Sequence, residues 1–252
     1  MYLAVDLPLL LAGPILRRVE PTLVSVWVAL SSPASLRLRV WEGRKRSGTD
    51  DAVLFEHPVA APATSLRVGA KLHIAQVTLK VPDNSTQTLQ ADRVYSYDLE
   101  FDFGGDTGKK TLASLHLLEA GSDGGIPRAP LGFEPDFLPS FAPPPSELDN
   151  LKILFGSCRR PAHPDPDAMV WIDDLLLKDD AYKDARRRPH QLFLGGDQIY
   201  ADDVTEMHML LVTQLGVELV GTEGPDRHAV EQVKLDGVLS RPLSVTPSRC
   251  RT

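Results

Sequence analysis

The stretch Tyr95-Ser96-Tyr97-Asp98-Leu99-Glu100-Phe101-Asp102-Phe103 decides how the first half of the chain folds. Its apolar residues fall on every second position, so an extended strand gathers them on one face and leaves Ser96, Asp98 and Asp102 on the other. This is the pattern of an antiparallel strand with one buried side. Towards the N-terminus, Val24, Val26, Val28 and Leu30 repeat it around Ser25, and Leu36, Leu38 and Val40 repeat it around Arg37 and Arg39. Turn-forming clusters separate the runs: Ser31-Ser32-Pro33, Pro82-Asp83-Asn84 and Gly104-Gly105-Asp106. Shorter strands are expected over 72–80 and 112–118. Strands of this length and spacing predict a β-sandwich over residues 1–120. Tyr95 and Tyr97 read as core packing residues.

Beyond residue 120 the pattern breaks. Pro127, Pro130, Pro135, Pro139 and Pro143-Pro144-Pro145 exclude a helix or a central strand. Residues 121–150 therefore read as a semi-rigid linker or a loop laid across the surface, and as the domain boundary. A different rhythm follows over 151–252. Leu151–Phe155 is a short apolar strand, and Asp165 with Pro166 can open a helix that carries Ala168, Trp171, Ile172, Leu175 and Leu176 at helical spacing. Gln191–Leu194 is a second short strand. Strand, helix and strand of this length predict a right-handed βαβ unit with two parallel strands, followed by a helix from about Asp203 to Leu215.

Whole-chain properties narrow the function. Lys+Arg number 27 against Asp+Glu 34, a net charge of -7, which argues against nucleic acid or an anionic membrane as partner. A phosphate-bearing substrate stays open, because a metal can supply positive charge locally. Cys158 and Cys250 are too few for a disulfide framework. The apolar run Leu7–Ala12 is preceded by Asp6 and followed by Arg17-Arg18, the reverse of a signal peptide, so it reads as mature protein. No window is long enough to span a bilayer. The expected location is the cytoplasm.

The chemistry gathers where the two short strands end. Leu151–Phe155 runs into Gly156-Ser157-Cys158-Arg159-Arg160, and Gln191–Leu194 runs into Gly195-Gly196-Asp197-Gln198-Ile199-Tyr200. Ligands collect at the carboxyl ends of strands in open α/β sheets. If the strands are neighbours, Cys158 and Asp197 arrive at one edge, with Tyr200 one turn away. Thiolate, carboxylate and phenolate suit a trivalent iron, and a bridging Asp197 could reach a second, oxygen-loving ion. Arg159 and Arg160 could clamp phosphate as planar forks or could be solvated charges. Asp202 and Asp203 read better as a helix cap with Glu206 than as ligands. His163, His190 and His208 lack ligand spacing.

Two motifs, FGSCRRP at 155–161 and RPHQLFLGGDQIYADD at 188–203, closely resemble the PhoD-like branch of the calcineurin-type metallophosphoesterases. That resemblance implies a β-sandwich ahead of an αββα catalytic domain: a multi-domain α+β chain carrying the first βαβ part of that second domain. The stretch from Leu89 to Leu99 resembles the late strand of fibronectin type III modules, which implies an immunoglobulin or fibronectin III-like sandwich. The family implies metal-dependent hydrolysis of phosphate mono- or diesters, with Fe3+ and Ca2+, or other divalent metals, as cofactors. It implies Cys158 and Tyr200 as iron ligands and Asp197 as the bridging, catalytic carboxylate. Arg159 and Arg160 are the candidates for phosphate.

The resemblance is incomplete. The family's second metal takes an Asn from a later loop, and the only asparagines, Asn84 and Asn150, precede Cys158. Residues 221–252 contain no clear strand. The expectation is a C-terminally shortened chain with half a site. Two other readings stay open: a non-catalytic sandwich-based binding protein with a vestigial phosphatase segment, and a hydrolase using Cys158 as nucleophile, activated by Arg159 and Arg160.

Overall fold

A computed structural model of the chain describes residues 7–81, 85, 87–123, 126–159, 167–198, 200 and 205–221. The fold is mixed but β-rich: most strands lie in antiparallel sheets, and the described residues include two α-helices. The first strands in chain order are β1 (Leu10–Glu20), β2 (Leu23–Leu30), β3 (Ser35–Glu42), β4 (Phe55–Glu56) and β5 (Ala63–Thr64). They are followed by β6 (Leu66–Arg67), β7 (His73–Lys80), β8 (Tyr95–Asp102) and β9 (Lys109–Thr111). One sheet runs β1-β2-β7-β6. A second is built on β8 and β3, with β4 and β5 against β3 and β9 against β8. The chain changes sheet between β2 and β3, between β5 and β6, and between β7 and β8.

The two sheets share one core. Val24, Val26, Val28 and Leu30 of β2 and Ala75, Val77 and Leu79 of β7 meet Leu36, Leu38 and Val40 of β3 and Tyr95, Tyr97, Leu99 and Phe101 of β8. β2 and β7 pair without slip from Leu23↔Lys80 to Leu30↔His73, and β3 and β8 from Ser35↔Asp102 to Glu42↔Tyr95. A one-residue slip would turn every buried side chain outward, so the alternation fixes these registers. β1 is irregular, with breaks in register on either side of Gly13. Gly13 has φ +96, and a Cβ there would sit 2.8 Å from the Trp27 carbonyl oxygen, so this bend requires glycine.

Three expectations change. The stretch 112–118 is not a strand: Thr111 and Ser114 bond each other's backbone amides through their side-chain oxygens, and Leu115 N donates to Thr111 O. Local hydroxyl bonds of this kind favour a turn over a ladder, and Leu112 and Leu118 are buried from it. Residues 121–150 are neither free linker nor simple surface loop. They form β10 (Gly121–Asp123), β11 (Ile126–Arg128) and β12 (Ser140–Phe141), and β12 pairs with β8. Leu138, Phe141 and Ala142 are buried, the first two within the common core cluster. Prolines fit here because β12 is a two-residue edge strand, where a missing amide costs little.

The third change concerns β8, whose polar face is also covered. Ser96 and Asp98 are buried as well. Ser96 Oγ accepts from Lys45 N and donates to Gly43 O, while Asp98 Oδ1 accepts from Leu99 N and Leu112 N. Burial pushes the Asp98 carboxyl up to about 6, against the pull of Arg39 3.4 Å away. A carboxyl that binds its proton more tightly when folded stabilises the fold below about pH 4. That advantage is lost as pH rises through about 6. Asp98→Asn keeps an acceptor for both amides and removes the buried charge. We expect it to raise stability by about 1–2 kcal/mol near pH 8 and to have little effect near pH 4, read from urea midpoints. A loss at pH 8 would mean that the Arg39 attraction outweighs burial.

The remaining elements are β13 (Ile153–Gly156), α1 (Val170–Leu177), β14 (Gln191–Leu194) and α2 (Glu206–Val220). β13 and β14 are parallel, with Ile153 opposite Gln191 and Gly156 opposite Leu194. The α1–β14 connection anchors this unit to the sheets. Tyr182 packs at 5.0 Å from the Phe133 ring and donates its hydroxyl to Glu134. Arg44 lies between the Phe137 and Tyr182 rings. Arg188 is buried and held by Ser140 O, Ser140 Oγ and Tyr182 O, with burial bringing its guanidinium down to about 10. β14 starts three residues later, so this anchor fixes where the strand begins. Among the described residues no helix is long and apolar enough to cross a membrane.

Candidate functional site

The parallel pairing brings the two strand ends together. Gly195 N donates to Gly156 O, and Cys158 N donates to Gly196 O at 3.0 Å, so the loops after β13 and β14 are tied by their backbones. Cys158 and Asp197 both have left-handed φ, at 57 and 50. For residues with a Cβ that conformation costs about 1 kcal/mol or more, and such strain concentrates at functional positions. It aims the two side chains at each other: Cys158 Sγ lies 3.5 Å from Asp197 Oδ2, and both residues are exposed. Gln198 folds back to donate to Gly196 O, holding the second loop.

Beside this pair a groove of about 820 Å³ separates α1 from the strands. Cys158, Arg159, Gln198 and Tyr200 line its polar end, and Leu154, Trp171, Ile172, Leu175, Leu192 and Leu194 line the rest. Four of the five sequence-predicted positions are therefore adjacent: Cys158 and Asp197 in contact, Arg159 and Tyr200 on the same groove. Arg160 lies outside the described residues, as do Asp165, Pro166, His163, Asp202 and Asp203. His190 is engaged structurally: its Nδ1 accepts from Lys152 N, and burial lowers its pKa.

Sequence reasoning missed the partner of Arg159. Nε and Nη2 of Arg159 both bond Asp167 Oδ2, at 2.9 and 2.6 Å. Each raises the case for the other's charge: the carboxylate raises the guanidinium pKa, and the guanidinium lowers the carboxyl pKa. Asp167 Oδ1 also accepts from Met169 N, ahead of α1. Nothing in the spacing signals this pair. Arg159 is thus a cation already neutralised at the groove's polar end.

A thiolate and a carboxylate oxygen bound to one ion, at roughly 2.3 and 2.1 Å and diverging by about 90–110°, stand about 3.1–3.6 Å apart. The observed separation of 3.5 Å fits that span, and equally fits a thiol donating to a carboxylate. Among the described residues no group of three or more His, Cys, Asp and Glu side chains converges as a metal cluster. The candidate residues brought together are therefore Cys158 and Asp197 in contact, with Tyr200 on the same groove. Compared with profiles of known protein families and with curated proteins, the chain matches none.

Proposed function

We propose that Cys158, Asp197 and Tyr200 hold a metal ion and that this site serves phosphate-ester hydrolysis of the PhoD-like metallophosphoesterase kind. The observation that carries the reading is the 3.5 Å approach of Cys158 Sγ to Asp197 Oδ2 across the joined strand ends. The motifs FGSCRRP and RPHQLFLGGDQIYADD, which bear those residues, support it. The same reading takes the facing sheets as an immunoglobulin or fibronectin III-like sandwich and the β13–α1–β14 unit as the opening of an αββα domain. It places the chain in the cytoplasm, with a small phosphate ester as substrate and neither nucleic acid nor membrane as partner.

Ferric iron here, with calcium or another divalent ion beside it, would acidify a bound water and screen phosphate charge. The chain's own residues set the geometry. The left-handed turns at Cys158 and Asp197 fix the two ligands before binding, so little ordering cost remains. Asp197 has a second carboxylate oxygen to offer, which suits a bridging position. Arg159 can meet a phosphate oxygen only by sharing or leaving Asp167, which weakens it as a clamp.

The test is metal-dependent phosphate binding. Inorganic phosphate should bind to the iron- and calcium-treated chain in isothermal titration, and neither Cys158→Ser nor Asp197→Asn should retain that binding. Phosphate binding that survives without metal, or in Asp197→Asn, counts against the reading.

A further inference from the structure

The outer face of the second sheet carries a cation that its neighbours leave underused. β3 alternates, so Arg37 and Arg39 stand on the face away from the core, opposite Glu100 and Asp98 of β8. Arg37 is well engaged: it donates to Glu56, to Glu100 and to the His57 carbonyl. Arg39 is not. Among the described residues its side chain makes one hydrogen bond, from Nη2 to Asp98 Oδ2 at 3.4 Å, and its Nε is buried without a partner. A buried donor left unpaired costs about 1–3 kcal/mol, so a folded chain that keeps one calls for a reason.

Arg39 lines a cavity of about 280 Å³ together with Trp41, Lys45, Thr49, Asp98 and Leu138. Its walls are held in place. The Arg39 guanidinium lies 5.6 Å from the centre of the Trp41 ring, and the Lys45 ammonium lies 5.8 Å from it. Lys45 is buried and bonds Asp51 at 2.6 Å and both oxygens of Thr49, while its backbone amide donates to Ser96 Oγ. The Trp41 indole donates to the Asp51 carbonyl. Lys45 is thus committed to its own loop, and of the two cations Arg39 is the one with donors to offer. An arginine stacked on an aromatic ring keeps its planar fork for an acceptor with two oxygens.

We propose that this cavity binds a small organic monocarboxylate through Arg39. Size sets the scale: the space falls below that of a drug-sized ligand, so the occupant has only a handful of heavy atoms. Trp41 and Leu138 supply apolar wall for a short alkyl chain. Charge selects the class. The charged groups around the site are Arg39 from β3, Lys45 and Asp50 from the loop, and Asp98 and Glu100 from β8. A doubly charged phosphate would be repelled by these carboxylates. A single carboxylate can instead share a proton with Asp98, whose carboxyl burial has already raised to about 6. Ligand and proton then bind together, so affinity should rise as pH falls through about 6. The site uses no metal and lies on a different sheet from Cys158 and Asp197.

Butyrate, titrated into the metal-free full chain and followed by the indole N–H resonance of Trp41, tests the proposal. The expected result is a saturable shift with a Kd of roughly 1–10 mM at about pH 5.5. Affinity should be roughly tenfold lower at about pH 8. Arg39→Gln should abolish the shift. Asp98→Asn, which donates an amide N–H with no charge to repel the ligand, should bind butyrate equally well at both pH values. If Arg39→Gln fails to fold, Arg39→Lys and the wild-type pH series still decide; lysine keeps the charge but loses the fork, and should weaken binding by roughly tenfold. The absence of a saturable shift at the lower pH overturns the proposal. So does equal wild-type affinity at the two pH values, undiminished binding in Arg39→Gln or Arg39→Lys, or inorganic phosphate binding as tightly as butyrate.

Discussion

Phe141→Ala should cost about 3–5 kcal/mol, a third or more of the stability of an ordinary domain. Phe141 belongs to the stretch that reads as linker in the sequence, yet it is buried in the common core. Its ring lies 5.8 Å from that of Tyr95 and 6.2 Å from that of Tyr97. Its backbone pairs with Tyr95 at the edge of the second sheet. The neighbours are strand residues held by β3 and cannot collapse into the space, so truncation leaves a cavity as well as lost contacts. The same packing sets the boundary of the β-rich part. A chain ending at residue 145 should melt cooperatively, whereas one ending at 125 lacks Leu138 and Phe141 and should melt at lower temperature and over a broader range. Equal melting of the two fragments would show that this return is ornamental.

How much of this could be read from residues alone depended on whether local pattern decided the outcome. The registers of β2 with β7 and of β3 with β8 follow from alternation that tolerates no slip, and β14 spans the residues named for it. The parallel pairing of β13 with β14 follows from the length of the helical segment between them. The return of residues 128–142 was hidden because its anchors, Leu131, Leu138 and Phe141, have neither helical nor strand period. Asp98 was hidden for the same reason: alternation marks one face as apolar but does not tell that a distant segment will cover the other. The turn over 112–118 was missed where hydroxyls at Thr111 and Ser114 outweighed an apolar run. At the site, Cys158 and Asp197 were legible because both fall just past the ends of neighbouring parallel strands, two residues after β13 and three after β14. The Arg159–Asp167 pair has no such marker.

The central claim is that Cys158 and Asp197 share a metal. Two side chains held in left-handed turns, 3.5 Å apart and exposed, have the geometry that the proposal asks of ligands set by the fold. Tyr200, the proposed third donor, lines the same groove. A phenolate on ferric iron absorbs visible light, so a loaded chain should be coloured, and Tyr200→Phe should bleach it while leaving part of the metal in place. With so few donors, affinity should be moderate and sensitive to the loss of any one; removing a ligand from a site of this size should lower it by roughly a hundredfold or more, beyond the effect of a merely supporting residue. The direct measurement is metal content after equilibrium dialysis against ferric iron, by elemental analysis, for the wild-type chain, Cys158→Ser and Asp197→Asn, each checked for folding by circular dichroism. The account predicts one iron per wild-type chain and almost none in either variant. Equal iron in all three, or none in the wild type, would contradict it.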